Sequence, residues 1–292
     1  MSQIISVSDA DLNYLHLAST PIAVLAEYGL KTYAGLSGDD PGATRNKDAR
    51  FTVILSAYGD NALIGRAAIA ELGPREHRFF CLDDELEKLN WLDKTRLCVV
   101  HRVPTGLLGQ APDQAPKISH TSFSMYRTVV QYESASGGKG SVIYETPPNF
   151  NMRGKTPHFL TFSNKIYLSE GTKCRLILLN YSVSPDYRQT AEVQLEFCNA
   201  AGEPVARKTE TVSPFDFHCM DIDEVLAGHG DTFVSFTASS VTSALIPLSV
   251  IVSKSNGGVS VEHSHPPQEY LMADWSLTGK IKIEAARHLF AN

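Results

Sequence analysis

The chain has 292 residues, a formal net charge of −6 and a pI near 5.9. Its Lys and Arg residues are scattered without a run, which excludes a protein that binds nucleic acid by neutralising the backbone. No stretch approaches the roughly eighteen consecutive apolar residues of a membrane span, and at this length two ordinary domains can each bury a core.

The start, MSQIISVSDADLNYL, has neither a basic n-region nor an apolar h-region, so a soluble, cytoplasmic chain is expected. DADLNYLHL, Asp9 to Leu17, reads as a short helix opening on an aspartate cap, with His16 partly buried on it. A strand-like IAVLAEYG follows from Ile22, and Ser37 to Arg50 is a turn-rich loop.

From there the chain reads twice. FTVILSAYG, Phe51 to Gly59, is answered by RLILLNYS, Arg175 to Ser182, with Tyr58 opposite Tyr181. Pro74 and Cys81 are answered by Pro214 and Cys219, and TRLCVVHRVP by TFVSFTASS. Each half closes on a hairpin signal: VVQYESASGGKGSVIYETPPNF from Val129 and LSVIVSKSNGGVSVEHSHPPQE from Leu248, both with a Gly-Gly turn and a later Pro-Pro. On this alignment AEVQLEFCNAAGEP is an extra hairpin of the second copy. The Pro104 to Ser122 stretch, rich in Pro, Gly and Gln, is a loop found only in the first.

Alternation dominates and helical faces are few, so the expected fold is all-β: two tandem β-sandwich domains related by internal duplication. Residues 1–152 form the first, with an N-terminal extension and the 104–122 loop. Residues 153–292 form the second, with a C-terminal tail. Two such sandwiches can pack about a pseudo-twofold axis, and chains of this kind tend to form homo-oligomers of closed symmetry.

LNYS, AEVQLEFCNAAGEPV, ETVSP ahead of MDIDEVL, GDTFVSFTASS and IPLSVIVS are similar in order and spacing to the small all-β soluble transducers associated with microbial sensory rhodopsins. The resemblance covers roughly residues 173–253 and, more faintly, the first half. It implies a single-sandwich unit that assembles as an oligomer and acts by binding partners, without chemistry of its own.

The sharpest chemical motif is Gly257-x5-His263-x-His265-x3-Glu269, which resembles the first metal-binding motif of cupins. Residues two apart on a strand share a face, so His263 and His265 can present two imidazoles together, and Glu269 would complete a site for Fe(II), Mn(II) or Zn(II). A fourth ligand would have to come from His218, His229 or His288. The first half has Tyr144-Glu145-Thr146 where the histidines would stand. Serine-elbow, P-loop and dinucleotide motifs are absent.

The acidic groups Asp83, Asp84, Glu85 and Asp221, Asp223, Glu224 read as helix caps or solvated turns. Five widely spaced cysteines without a CxxC pair read as reduced thiols, mostly buried. Exposed aromatics beside the hairpins are what a sugar, terpenoid or peptide site would use. The leading expectation is therefore a non-catalytic sandwich protein that binds a small molecule or protein partner. The competing one is a metal-dependent hydrolase, isomerase or oxygenase using a divalent ion on His263, His265 and Glu269.

Overall fold

The computed structural model describes residues 19–38, 50–105, 128–143, 162–181, 187–228, 232–240, 243 and 245–263. They form four antiparallel four-stranded sheets. Sheet A runs β1 (Ser19–Ala23), β6 (Leu97–Pro104), β3 (Phe51–Gly59), β4 (Ala62–Leu72). Sheet B runs β5 (His77–Cys81), β2 (Leu30–Ser37), β7 (Val129–Ser134), β8 (Lys139–Val142). In the second half, sheet C runs β9 (Phe162–Leu168), β14 (Thr232–Ser240), β11 (Ala191–Cys198), β12 (Pro204–Val212). Sheet D runs β13 (Asp216–Asp221), β10 (Thr172–Asn180), β15 (Ile246–Ser253), β16 (Val259–His263). Adding eight to every strand number turns the first half into the second, so the strand order predicted to repeat does repeat. Both halves are β-sandwiches. Among the described residues no helix is long and apolar enough to cross a membrane.

Two buried braces fix which positions correspond. Asp83, in helix α1 (Leu82–Lys88), accepts the Thr32 backbone N–H at 2.7 Å, and Asp223, in α2 (Ile222–Val225), accepts that of Cys174 at 3.0 Å. Thr32 therefore stands where Cys174 stands, and β2 answers β10 while β3 answers β11. This corrects the alignment read from sequence. Tyr58 and Tyr181 are not equivalent, and the Ala191 hairpin is the counterpart of β3–β4 and no addition. Cys81 falls opposite Asp221, two places from Cys219, whose counterpart is Phe79. The physical reason is that β3 and β10 are both nine-residue strands buried on both faces, so their apolar runs look alike from different places in the fold. A slip of two residues in a strand keeps every side chain on its face, and alternation cannot detect it.

Pro74 and Pro214 do correspond. Each precedes a non-glycine residue with positive φ, Arg75 at 60° and Phe215 at 57°, in the turn that enters β5 or β13. Proline pre-sets the first position of such a turn and the left-handed second position then reverses the chain. The side chain at that second position decides what the turn does, as described below.

Sheet D lies between sheet C and the first half. On β10, Cys174, Leu176 and Leu178 face sheet C, whereas Ile177 and Leu179 join Phe217, Leu248 and Val250 in the core shared with the first half. Sheet D is thus buried on both faces, and so is sheet A, whose Tyr58 stacks on Phe215. The first half meets sheet D through Tyr58 of sheet A, which stacks on Phe215, and through β7 and β8 of sheet B, which lie against β16.

The outermost faces show why the stack ends there. Ile177, Leu179, Phe217 and Val250 of sheet D are answered on sheet B by Gly35, Ser37, His77 and Gln131. Leu97 of sheet A is answered on sheet C by Ser235, beside Glu192, Gln194 and the ion pair of Glu196 with Arg207. The face that sheet D turns to the first half is mainly apolar and the corresponding face of sheet B mainly polar, so burial favours the contact made by sheet D.

The two hairpins meet at the rim of this contact. Ser134 donates its hydroxyl to the Gly257 carbonyl at 2.6 Å, and β8 lies against β16. Glycine is needed here: a Cβ on Gly138 would stand 2.1 Å from the Gly257 oxygen, and one on Gly140 2.7 Å from that of Val259. The repeated Gly-Gly signal is therefore a packing device between the halves as well as a turn.

Candidate functional site

His263 ends β16, and its ring Nδ1 lies 3.2 Å from the Pro247 carbonyl of the neighbouring strand. A ring N–H donated there fixes the tautomer in which Nε2 holds the lone pair, the form in which histidine ligates metals. His265, Glu269 and His288 lie outside the described residues, as do Pro147, Pro148, Pro266, Pro267 and residues 106–122 of the predicted 104–122 loop. His229 does too, while His218 pairs with Glu210 at 3.5 Å on another edge of sheet D. Among the described residues no group of three or more His, Cys, Asp or Glu is placed to hold a metal ion.

The acidic groups have structural work. Neither α1 nor α2 is capped by a side chain at its N-terminus. Instead Asp83 and Asp223 each hold the backbone of the adjoining strand, and Asp221 pairs with Arg175 at 3.0 Å and Lys173 at 3.2 Å. Burial pushes the Asp83 carboxyl above the usual carboxylate range. The thiols are equally settled. Burial pushes Cys174 up to about 12 and Cys219 to about 11, so both stay protonated and non-nucleophilic near neutral pH. All five cysteines are free.

Two constellations emerge that were not legible in sequence. The first is polar and lies on the face of sheet A that meets sheet D. His101 is 3% exposed, with Nδ1 2.7 Å from the Ser19 hydroxyl and Nε2 2.9 Å from that of Ser56. Ser19 in turn hydrogen-bonds to Tyr181, which comes from β10's end across the contact. Arg66 lies opposite Ser56 on β4. Serine beside histidine is the pairing a hydrolase uses, but here it is sealed between two sheets and serves as a polar joint. The available signal was a polar residue inside an apolar strand: Ser56 in FTVILSAYG and His101 in LCVVHRVP.

The second is aromatic and open. Tyr167 on β9 and Phe233 on β14 stand directly opposite in the register, with ring centroids 4.9 Å apart and planes tilted by 50°. They are 42% and 58% exposed on the outward face of sheet C. Side by side on β11 and β14, Cys198 and Ser235 continue that face, followed by Glu196, Gln194 and Glu192. The rings and hydroxyl, amide and carboxylate groups thus share one flat surface about 15 Å wide, given the spacing of four strands. Sheet B carries a lesser version: Phe79 lies across Gly35, where a Cβ would touch three of its ring atoms at 2.7–3.1 Å. Because Phe79 is 56% exposed and can swing away, Gly35→Ala is expected to cost under about 1 kcal/mol in urea denaturation.

No protein-family model matches the chain, and no curated protein matches it. Among solved structures it is similar to Thermotoga maritima protein 1070, with 18% identity and a TM-score of 0.30 over 39% of this chain and 96% of that one. It is also similar to an α-L-rhamnosidase of Streptomyces avermitilis, with 11% identity, TM-score 0.21, over 91% of this chain and 27% of that one. A glycosyl hydrolase family 2 member of Bacteroides cellulosilyticus gives 11% identity and TM-score 0.17 over 84% and 27%. The chain spans about a quarter of the length of these two glycosidases, and likenesses this slight assign it no activity.

Proposed function

We propose that this chain is a non-catalytic binding protein whose recognition surface is the outward face of sheet C, centred on Tyr167 and Phe233. The single observation that supports this is the pair of adjoining, half-exposed rings on a surface otherwise built of polar side chains. Such a pair offers a tilted apolar platform with hydrogen-bonding groups beside it, the arrangement that holds a ligand or partner group with one flat apolar face and a polar rim. Association with further copies belongs to the same reading and would use the same rings.

The test is a library of planar fragments screened by saturation-transfer NMR against the full chain and against Tyr167→Ala/Phe233→Ala. Both substitutions sit on an exposed face, so the variant should fold as the parent does. Fragments that bind the parent are expected to lose at least tenfold in affinity for the variant. Equal binding to both proteins, or no binding to the parent, would overturn the reading. Sedimentation velocity of the two proteins checks assembly: species larger than 32.0 kDa should form only with the rings in place.

A second reading is favoured by the His263 hydrogen bond to Pro247, which suits a metal ligand. Under it His263, His265 and Glu269 bind a divalent ion that acts as Lewis acid or activates water. Zinc added to the metal-free chain should then bind at pH 7.5 and release progressively below about pH 6.5, because protonated imidazole cannot ligate. His263→Ala/His265→Ala should abolish that heat of binding. Absence of zinc binding by calorimetry at pH 7.5 removes the enzyme reading.

A further inference from the structure

The turn between β15 and β16 contains an exposed Asn256 followed by a buried Gly257. The Asn256 side chain folds back over the chain, its Oδ1 accepting the Gly258 backbone N–H at 2.9 Å. Gly257 carries no side chain to hinder attack by its own nitrogen on the Asn256 Cγ, the first step of asparagine deamidation. Two hydrogen bonds hold that nitrogen back. The Gly257 N–H is donated to the Ser253 carbonyl at 2.9 Å, and the Gly257 carbonyl accepts the Ser134 hydroxyl of the other hairpin at 2.6 Å. A Cβ on Gly257 would stand 2.6 Å from that of Ser136, so the glycine has little room to turn while the hairpins are closed.

We propose that Asn256 is a deamidation site gated by the contact between the two hairpins, shut while Ser134 and Ser253 hold Gly257 and open when that contact breaks. In the open state the Gly257 nitrogen loses its proton to hydroxide and bonds to Cγ of Asn256. The Cγ–Nδ2 bond then breaks, ammonia leaves with a proton taken from water, and a five-membered succinimide remains. Water adds to one of its two carbonyls and the C–N bond at that carbon breaks, which leaves aspartate or isoaspartate. No electrons are transferred, and water and hydroxide are the only co-reactants.

The product bears on the contact that gates it. Isoaspartate routes the main chain through the former side chain, adding one carbon between residues 256 and 257 and a negative charge. The turn is closed by the Ser253 N–H on the Gly258 carbonyl at 2.8 Å and by the Gly257 N–H on Ser253, a pair that fits one chain length. A longer turn cannot keep both, and the Gly257 carbonyl moves off Ser134. A transient opening thereby becomes permanent. The change stays at the rim, since none of these residues belongs to the apolar cores.

The experiment is incubation of the full chain at mildly alkaline pH, followed by tryptic mapping. Cleavage after Lys254 and Lys280 releases a peptide in which Asn256 is the only asparagine, so the amide-to-acid mass change reports this site alone. With fast opening and closing, the rate is that of the unfolded chain multiplied by the open population, so the folded chain should convert slower than the urea-unfolded chain by about tenfold or more. Ser134→Ala should speed the folded chain about two- to tenfold, the shift expected from one lost hydrogen bond. Gly137→Ala adds a methyl that meets nothing within 4 Å and should leave the rate nearly unchanged.

No conversion in the unfolded chain overturns the site, and equal rates in folded and unfolded chains overturn the gate. An unchanged rate in Ser134→Ala also overturns it, as does equal acceleration by Gly137→Ala, which would show that global unfolding exposes Asn256. Should Ser134→Ala fail to fold, amide exchange at Gly257 in the parent decides. Protection equal to the slowing of deamidation supports the gate, and unequal values overturn it.

Discussion

Phe215→Ala is expected to cost about 3–5 kcal/mol of unfolding free energy, the range for emptying a buried phenylalanine site. The ring is 7% exposed and held by three tyrosines from both halves: Tyr58 stacks on it at 4.9 Å, while Tyr181 and Tyr187 meet it edge-on at 6.0 Å. Tyr187 is itself fixed by hydrogen bonds to Asn180 at 2.8 Å and Ser243 at 2.6 Å, so the walls cannot collapse readily into the space. The backbone sharpens the test. Alanine keeps the Cβ in a left-handed conformation, whereas glycine relieves it, so Phe215→Gly should be less damaging than Phe215→Ala by up to about 1 kcal/mol. Urea denaturation of the three proteins measures both differences. A loss below about 1 kcal/mol for Phe215→Ala would show that the tyrosine clamp does not hold the halves together.

Gly138→Ala should cost about 2–3 kcal/mol, because the added methyl would lie 2.1 Å from a backbone oxygen of the other hairpin and neither hairpin can yield without the other moving. The neighbouring glycine provides the control. Gly137 has φ of 83° with nothing within 4 Å of its notional Cβ, so Gly137→Ala carries only the conformational penalty of about 1 kcal/mol. Equal losses at the two positions in thermal or urea denaturation would mean that the hairpins do not bear on each other in solution. The same substitution should also release the Ser134 hydroxyl from Gly257.

These two positions show how much was readable beforehand. The Gly-Gly turns were visible as hairpin signals because positive-φ glycine has a local signature, and Pro74 and Pro214 were paired correctly for the same reason. That Gly257 and Gly138 also touch across the molecule was not visible, since close approach of two backbones leaves no local mark. The alternation of VQLEF and VSVEH predicted strands, and β11 and β16 hold them. The apolar runs of β3 and β10 misled the alignment, because burial on two faces erases the alternation that would have set them apart.

The chain's local chemistry by itself therefore determined the all-β class and the positions of the tight turns. Each of these depends on a residue's own conformational preference or on which of two faces it presents. Only the tertiary structure decided which faces became the joint. Sheet D turns an apolar face to the first half where its counterpart, sheet B, turns a mainly polar one outward, and that contrast acquires meaning only once Thr32 is known to stand where Cys174 stands. The same holds for both constellations. His101 lies 45 residues from Ser56 and 82 from Ser19, and Tyr167 and Phe233 meet through strand pairing alone, so their chemistry arises from register and layer packing, long-range terms that no window of sequence contains.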